Sequence, residues 1–472
     1  MRISIKNFKS IDSINDYNLK PLTILSGVNS SGKSSFIQFL VLLKQTMELD
    51  SSTQPLYLDG SIYPVQNMVD LIYGKNPKDE IELEMEFNKH EISDPNGQLG
   101  IIGQLGNYKV RISVHFGMND QEKPYISNFK IRIALSEKDE NEYRFEAKHL
   151  NNDIYQITST NQVFGLWNPE PGIEVSTAFN SFFPSYYQEM TQIDTELEDG
   201  EIKIEKRLNK VNLTIDLFKD LLGDFFKGID YLGPIRAKPK EEYYIPRHIK
   251  KIGVYGENVA RILQDGKDKK VEFLSIEETD EGIKYKRRTN TLLEATEYWL
   301  CQYFKLAKSI ESDIQADAFM IYIINNNDDK IKINHVGYGI SQILPIIVQG
   351  LNMSINGTLI IEQPEIHLHP KVQSRLFDFF YSLVLQKKKL VIETHSSHLI
   401  SRLRRRVAED SDNMVKDNVN LTFVEDKSFK TLELDSFGSL GHYPTDFIDS
   451  PTDELNATIK AQMKKRKNST KK

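Results

Sequence analysis

The sequence predicts an α/β protein built on a mixed sheet, interrupted by an antiparallel β insertion and then by a helical insertion. Three observations carry that expectation. Near the start, an apolar run leads through a glycine-rich loop into a helix-period stretch, over residues 21–48. Far downstream, short apolar runs at 359–361 and 390–392 flank a helix-period segment. That is the pattern of buried parallel strands joined by a right-handed crossover. Between these ends lies a long stretch whose apolar residues alternate with polar ones, as in half-buried antiparallel strands.

Taken in order, Ile3, Ile5 and Phe8 read as an edge strand, and 21–26 as a short buried one. Phe36, Phe39, Leu40, Leu43 and Met47 then fall on one face of a helix over 34–48. From 79 the period changes to two. Ile81, Leu83, Met85 and Phe87 alternate with Glu80, Glu82, Glu84 and Glu86, and similar runs follow at 109–116 and 129–135. The glutamates read as the wet face of a strand. Residues 176–310 read as mixed and mainly helical, with helix-period segments at 208–226 and 292–310. No heptad pattern is sustained, so no long coiled coil is expected. Strands at 319–324 and 331–333, a helix at 341–351 and a closing hairpin at 421–434 complete the ordered part. The expected division is 1–76, 77–175, 176–313, 314–450 and a basic tail at 451–472.

Composition narrows the class. The chain has 472 residues, 39% hydrophobic and 27% charged, which is ordinary for a globular protein. The net charge of −7 confines nucleic-acid binding to a local patch or to a partner. The only cysteine, Cys301, excludes an intrachain disulfide and a cysteine metal cluster. The N-terminus alternates like a strand, without the apolar core of a signal peptide, and no apolar run approaches the ~20 residues of a membrane span. A cytoplasmic protein with no membrane partner is expected.

The chemistry concentrates in three strings. Gly27, Gly32, Lys33 and Ser34 fit G-x-x-x-x-G-K-[ST] between a strand and a helix. Such a loop curls backbone N–H groups around phosphates at a helix N-terminus. Lys33 is expected to reach the β- and γ-phosphates of ATP, and Ser34 to ligate Mg²⁺. Asn29, Ser30, Ser31 and Ser35 complete the candidate ATP-binding set. Glu362 ends an apolar strand, where a Mg²⁺-linked carboxylate belongs. His395 ends the neighbouring one, where an imidazole can hydrogen-bond a γ-phosphate. Gln66 is a candidate lid residue toward Mg²⁺ or water.

With these strings in view the chain resembles the ABC-type heads of SMC and Rad50 proteins, and more closely the compact bacterial ATPases of the overcoming-lysogenization-defect type. The resemblance covers 1–75 and 315–440. It rests on the E-Q-P-E-I-H-L-H-P string from Glu362, on Thr394-His395-Ser396, and on Gly337-Tyr-Gly339-Ile-Ser341-Gln342, similar to a degenerate ABC signature. It implies that Gly337, Gly339, Ser341 and Gln342 serve ATP held by an opposite subunit, so self-association into a dimer or higher oligomer is expected. The strings from Tyr231 to Arg236 and from Ile252 to Glu257 are similar to recurrent strings of this compact bacterial group, and within it the size and the ending from Gly441 are similar to those of the ATPase subunits of Septu anti-phage systems. That narrower resemblance implies a role in defence and an HNH-type nuclease partner.

One departure bears on mechanism. ABC proteins place a catalytic glutamate where this chain has Gln363, and an amide cannot accept a proton from water. Glu365 is the candidate substitute, and slow hydrolysis is expected. His369 stands where an aspartate usually crosses to the other site. His367, His369 and His395 suggest a metal site less well than they suit the ATPase framework. Arg402, Arg404, Arg405 and Arg406 read as a solvated helix end, with phosphate contact the alternative. Arg236 is placed toward a neighbour's nucleotide or DNA. Two other functions compete: a RecF-like DNA-binding repair ATPase, and an intrinsic Toprim nuclease beginning at Glu425, for which too little chain and no D-x-D remain.

Overall fold

The computed structural model describes residues 1–49, 54–88, 108–134, 142–159, 174–196, 202–210, 213–240, 243–244, 251–279, 282–315 and 318–441. The tail at 442–472, with the end of the Gly441 string, lies outside them. The chain divides into two compact units. One holds 1–20, 32–229 and 426–428; the other holds 21–31, 230–425 and the chain from 429.

The elements run β1 (Arg2–Phe8), β2 (Ile11–Asn18), β3 (Leu22–Gly27) and α1 (Lys33–Met47). Next come β4 (Ile81–Asn88), β5 (Lys109–Met118), β6 (Pro124–Ala134), β7 (Glu142–Asn151) and β8 (Ile154–Ser159). Then follow β9 (Glu174–Asn180), β10 (Phe183–Glu196), β11 (Ile202–Lys210), α2 (Leu213–Lys227), β12 (Ile229–Leu232) and β13 (Tyr243–Tyr244).

In the first unit, ten strands form one antiparallel sheet in the order β11-β10-β9-β8-β7-β6-β5-β4-β1-β2. The alternating pattern explains it. Ile81, Leu83 and Met85 are buried, while Glu82 pairs with Lys6 at 3.0 Å and Glu86 with Arg111 at 2.5 Å. The glutamates are therefore an ion-paired sheet face. The sheet's apolar face meets α1 through Phe8 on Phe39, with ring centroids 4.7 Å apart, and Tyr17 on Phe36 at 5.2 Å.

Two expectations need correction here. First, β1 is not an edge strand: it lies between β2 and β4, with Ile5 opposite both Ile14 and Leu83. The N-terminal pattern records alternation but not how many neighbours the backbone finds. Second, the stretch from 176 is not mainly helical. Strands β9, β10 and β11 extend the same sheet, with Leu208 opposite Gln188. Ladder pairing overrides the helix-period reading of 208–210, and the helix starts only at Leu213.

The second unit continues with α3 (Val259–Asp265), β14 (Lys270–Thr279), β15 (Gly282–Thr291), α4 (Leu292–Glu297), β16 (Ser309–Gln315), β17 (Ala318–Ile324) and β18 (Lys330–Lys332). Helix α4 passes into a π-helical turn, Tyr298–Tyr303. The helix expected over 292–310 thus stops early, because Lys305 adopts φ 59° and the chain turns into β16. Cys301 is buried in that turn. Last come α5 (Tyr338–Asn352), β19 (Thr358–Glu362), α6 (Pro370–Val384), β20 (Lys389–Glu393), α7 (Ser397–Glu409), α8 (Met414–Asn418), β21 (Val419–Glu425) and β22 (Ser428–Thr431).

The six-stranded sheet of this unit has the order β12-β19-β20-β3-β21-β22. Strands β19, β20, β3 and β21 are parallel. Every residue of β19 and β3 is buried, as near-continuous apolar strands require. Among the described residues there is no long coiled coil, and no helix is long and apolar enough to cross a membrane.

Candidate active site

Parallel pairing brings distant strand ends to one edge. Glu362 lies opposite Glu393, and Glu393 opposite Leu25. The glycine loop leaves β3 two residues later, between β20 and β21. Ligands of open α/β sheets bind at this carboxyl edge.

The loop's backbone is built for close approach. Gly27 has φ 140°, and a Cβ there would lie 2.1 Å from the Val424 carbonyl oxygen, so no other residue fits. Ser30 at φ 60° and Gly32 at φ 116° are also left-handed. Gly32 caps α1, whose first bond runs from Phe36 N to Gly32 O. This curl fits a phosphate chain at a helix N-terminus. Asn29 and Ser30 are exposed, Ser34 is half-buried, and Ser31 and Lys33 are buried. The Ser35 hydroxyl is paired with that of Ser10 at 2.7 Å.

The acidic strand end is held by two side chains from the segment after α2. The Tyr231 hydroxyl donates to Glu362 Oε1 at 2.6 Å. The buried Arg236 donates from Nη2 to the Glu362 carbonyl at 2.8 Å and from Nη1 to the Gln363 carbonyl at 3.1 Å. Arg236 therefore holds the backbone of its own acidic strand end. Burial lowers its pKa to about 10, partly offset by the charges of Glu365 and Glu362. The string from Tyr231 to Arg236 carries no local signal that Glu362 is its target, because the partners are 126 and 131 positions apart.

Gln363 takes φ 45° and donates its N–H to the Glu393 carbonyl at 2.8 Å, turning the chain out of the sheet. Glu365 then reaches the neighbouring loop. Its carboxylate accepts the Thr394 hydroxyl at 2.8 Å and the His395 N–H at 2.6 Å. Glu365, the candidate base, is thus tied directly to the His395 backbone. Thr394 was missed as a site residue, although it stands in the quoted T-H-S string. The His395 side chain is exposed. Burial pushes both Glu362 and Glu365 above the usual carboxylate range, against the hydrogen bonds and the Arg236 charge that hold them down.

The signature-like segment opens α5, with Gly337 as N-cap. Gly337 and Tyr338 are exposed, and the Tyr338 ring lies 5.6 Å from the exposed His367 ring. Ser341 is 5% exposed, and its hydroxyl donates to the Tyr338 carbonyl at 2.8 Å. Gln342 is buried. Gln66 is exposed just before a 3₁₀ turn, Met68–Leu71. His369 caps α6 by accepting Lys371 N at 3.3 Å. Among the described residues no group of three His, Cys, Asp or Glu side chains gathers to hold a metal, so His367, His369 and His395 do not form such a site.

Two of the arginines of α7 are not part of a solvated helix end, whereas Arg405 is 60% exposed. Arg402 and Arg406 converge on the fully buried Asp378 of α6, each at 2.7 Å. Arg404 donates to the Gly438 carbonyl, and Arg405 pairs with Glu409. Glu425, the proposed start of a nuclease motif, ends β21 and pairs with Lys430 across the hairpin.

The AAA ATPase domain family profile matches residues 1–400. The chain belongs to the AAA ATPase domain family. Among curated proteins none matches it. Three solved structures are distant likenesses. An SMC head bound to the C-winged helix domain of ScpA has 11% identity and a TM-score of 0.35, covering 91% of this chain and 96% of that one. The SMC head domain from Thermotoga maritima has 10% identity and a TM-score of 0.32, covering 92% and 100%. An SMC head with an extended coiled coil, bound to the C-terminal domain of ScpA from Pyrococcus furiosus, has 12% and 0.34, covering 91% and 95%.

Proposed function

We propose that this ATPase is an ABC-type head that holds ATP longer than it hydrolyses it, and that the ATP-bound state controls a partner through self-association. The observation that carries the reading is the shared sheet edge, where the loop after β3, Glu362 and the Glu365–His395 link meet. In this reading Lys33 holds the β- and γ-phosphates, and Ser34 and Glu362 hold Mg²⁺, with Gln66 as a lid residue. The metal would supply charge neutralisation at the phosphates.

The protein's own part is positioning. Arg236 fixes the carbonyls of two successive peptides, those of Glu362 and Gln363. Glu365 fixes the amide of His395, so the imidazole's approach to a terminal phosphate depends on that carboxylate. Glu365 keeps lone pairs beyond the two hydrogen bonds it accepts, and its raised pKa makes it the stronger base for a water proton. Gln363 cannot take that role. Turnover is accordingly expected well below the ~10 s⁻¹ typical of enzymes.

Exposed Gly337 and Tyr338 at the start of α5 support a contact with a second copy carrying ATP. Because the Ser341 hydroxyl is engaged internally, the backbone of this helix start is the better candidate for that contact. By resemblance the partner is an HNH-type nuclease in a cytoplasmic anti-phage system, and the chain does not cut nucleic acid itself. The internal pairing of Arg402 and Arg406 weighs against the RecF-like reading, which draws on Arg402–Arg406 and on the basic tail.

Equilibrium binding of ATP tests the foundation. Lys33→Ala should abolish tight binding and, with it, ATP-dependent oligomerisation in sedimentation. Unchanged ATP affinity would remove the loop assignment. Lost affinity with no oligomer in wild type plus ATP would remove only the association step.

A further inference from the structure

A second feature of the same unit lies at the opposite edge of the six-stranded sheet. There a cleft of about 620 Å³ opens where the chain enters β19 and β20. Strands β19 and β20 separate it from Glu362 and Glu393 by about 13 Å of extended chain.

Its lining is electrostatically at odds with the protein. The chain as a whole carries −7, yet the cleft gathers Lys269, Lys270, Arg287, Lys387 and Lys388 against a single carboxylate, Glu272. That carboxylate is 65% exposed and stands 3.6 Å from Arg287. Lys270 and Lys387 are exposed and have no acidic partner among the described residues. Lys269 donates to Asn352 Oδ1 at 2.9 Å.

Lys388 is the built part of the site. It is 4% exposed and donates to the Gly350 and Leu351 carbonyls at 2.7 and 3.1 Å, near the end of α5. Burial lowers its pKa to about 8, and the nearby Lys269 charge adds to the lowering. The Lys388 and Lys269 ammonium groups therefore repel one another, and the one carboxylate of the lining, Glu272, stands against Arg287. Beside them, Leu351, Met353 and Ile355 form an apolar wall, and Ile355 is 65% exposed. A cationic floor, an apolar wall and a volume inside the ~300–1,000 Å³ range of small-molecule sites occur together.

We propose that this cleft binds a small phosphate-bearing molecule, independently of the glycine loop. The lysines take the phosphate and the apolar wall takes the body of the ligand. A short cleft with an apolar side suits a compact ester better than the continuous backbone of a nucleic acid, which needs an extended cationic track.

The test uses the full chain carrying Lys33→Ala, so that the glycine loop does not contribute to the signal. Calorimetric titrations use two probes, a nucleoside monophosphate and inorganic tripolyphosphate. Saturable one-site binding is expected. It should weaken at least about tenfold when Lys269→Glu and Lys387→Glu are added, the size of one lost charge-assisted contact. Tighter binding of the monophosphate assigns an organic ester that uses the wall; tighter tripolyphosphate assigns an inorganic ligand. If the charge reversals lower the melting temperature, Lys270→Gln with Lys387→Gln is read instead, since both side chains are exposed. No saturable binding, equal affinity in the variants, or binding of a long single-stranded oligonucleotide alone would each overturn the proposal. None of these outcomes bears on ATP binding by the wild-type loop, which the Lys33→Ala comparison reads separately.

Discussion

The second unit buries carboxylates in two places, and they titrate in opposite directions. At the sheet edge, Glu362 and Glu365 are buried with hydrogen bonds but with only one nearby arginine, Arg236, which is spent on backbone carbonyls. Desolvation wins, and both are raised. Between α6 and α7, Asp378 is more deeply buried, yet it is lowered. Burial pushes it up, but the hydrogen bonds and charges of Arg406 and then Arg402 outweigh that. Tyr303 adds a hydroxyl donor to the same carboxylate. A buried acid with full partners is a structural tie. A buried acid left under-neutralised is poised for a cation or a proton, which is the electrostatic mark of a functional site.

The largest effect should come from breaking the tie. Asp378→Asn leaves two arginines facing a neutral group and should destabilise the chain by about 3–5 kcal/mol, the usual loss for one partner of a buried pair. Chemical denaturation measures it. Glu362→Gln should behave oppositely: stability unchanged or slightly increased, because a desolvated charge is removed, but metal-dependent ATP binding lost. If both variants destabilise alike, the distinction drawn here fails.

The pH dependence carries the same contrast. Asp378 is lowered, so its contribution is present above its unfolded pKa and is lost as pH falls through the folded value. Glu362 and Glu365 are raised, so they bind more protons folded than unfolded. Their contribution is present below the unfolded pKa near ~4.3 and declines as pH rises through the folded values.

Next in size is an effect on turnover. Glu365→Gln should spare ATP affinity and lower kcat by about 10²-fold or more, the lower range for a lost general base. Gln363→Glu restores a carboxylate at the usual base position and should raise kcat. The acid limb of the wild-type rate profile should lie above the ordinary glutamate range, because Glu365 is raised. Wild-type turnover that survives Glu365→Gln would move the base elsewhere and leave Glu365 as the clamp on His395.

The smallest effect should come from Tyr231→Phe, which removes one hydroxyl from Glu362. A loss of about 1 kcal/mol in stability is expected. The Glu362 pKa should rise further, since that hydrogen bond lowers it, and metal-dependent ATP binding should weaken more at acidic pH than at neutral pH. An unchanged pH profile would show that Tyr231 only packs.

The sequence by itself determined what local rules govern. Gly27 and Gly32 announced the loop because only glycine suits those backbone angles and that close approach. The apolar runs of β3, β19 and β20 announced parallel strands because strands buried on both faces need no alternation. The crossover through α6 put Glu362 at the end of β19, whereas His395, expected to end the neighbouring strand, lies two residues beyond β20. Tertiary structure alone decided who pairs with whom. Tyr231 meets Glu362 across 131 positions and Arg236 its carbonyl across 126. Arg402 and Arg406 read as solvated until α6 presented Asp378, and the start of the mixed, mainly helical stretch expected from 176 became strands when the growing sheet offered β9, β10 and β11 a ladder. Periodicity reports which side of a segment is dry. It does not report which distant charge or backbone will be waiting there, and at this site the energy of a buried charge depends on that partner.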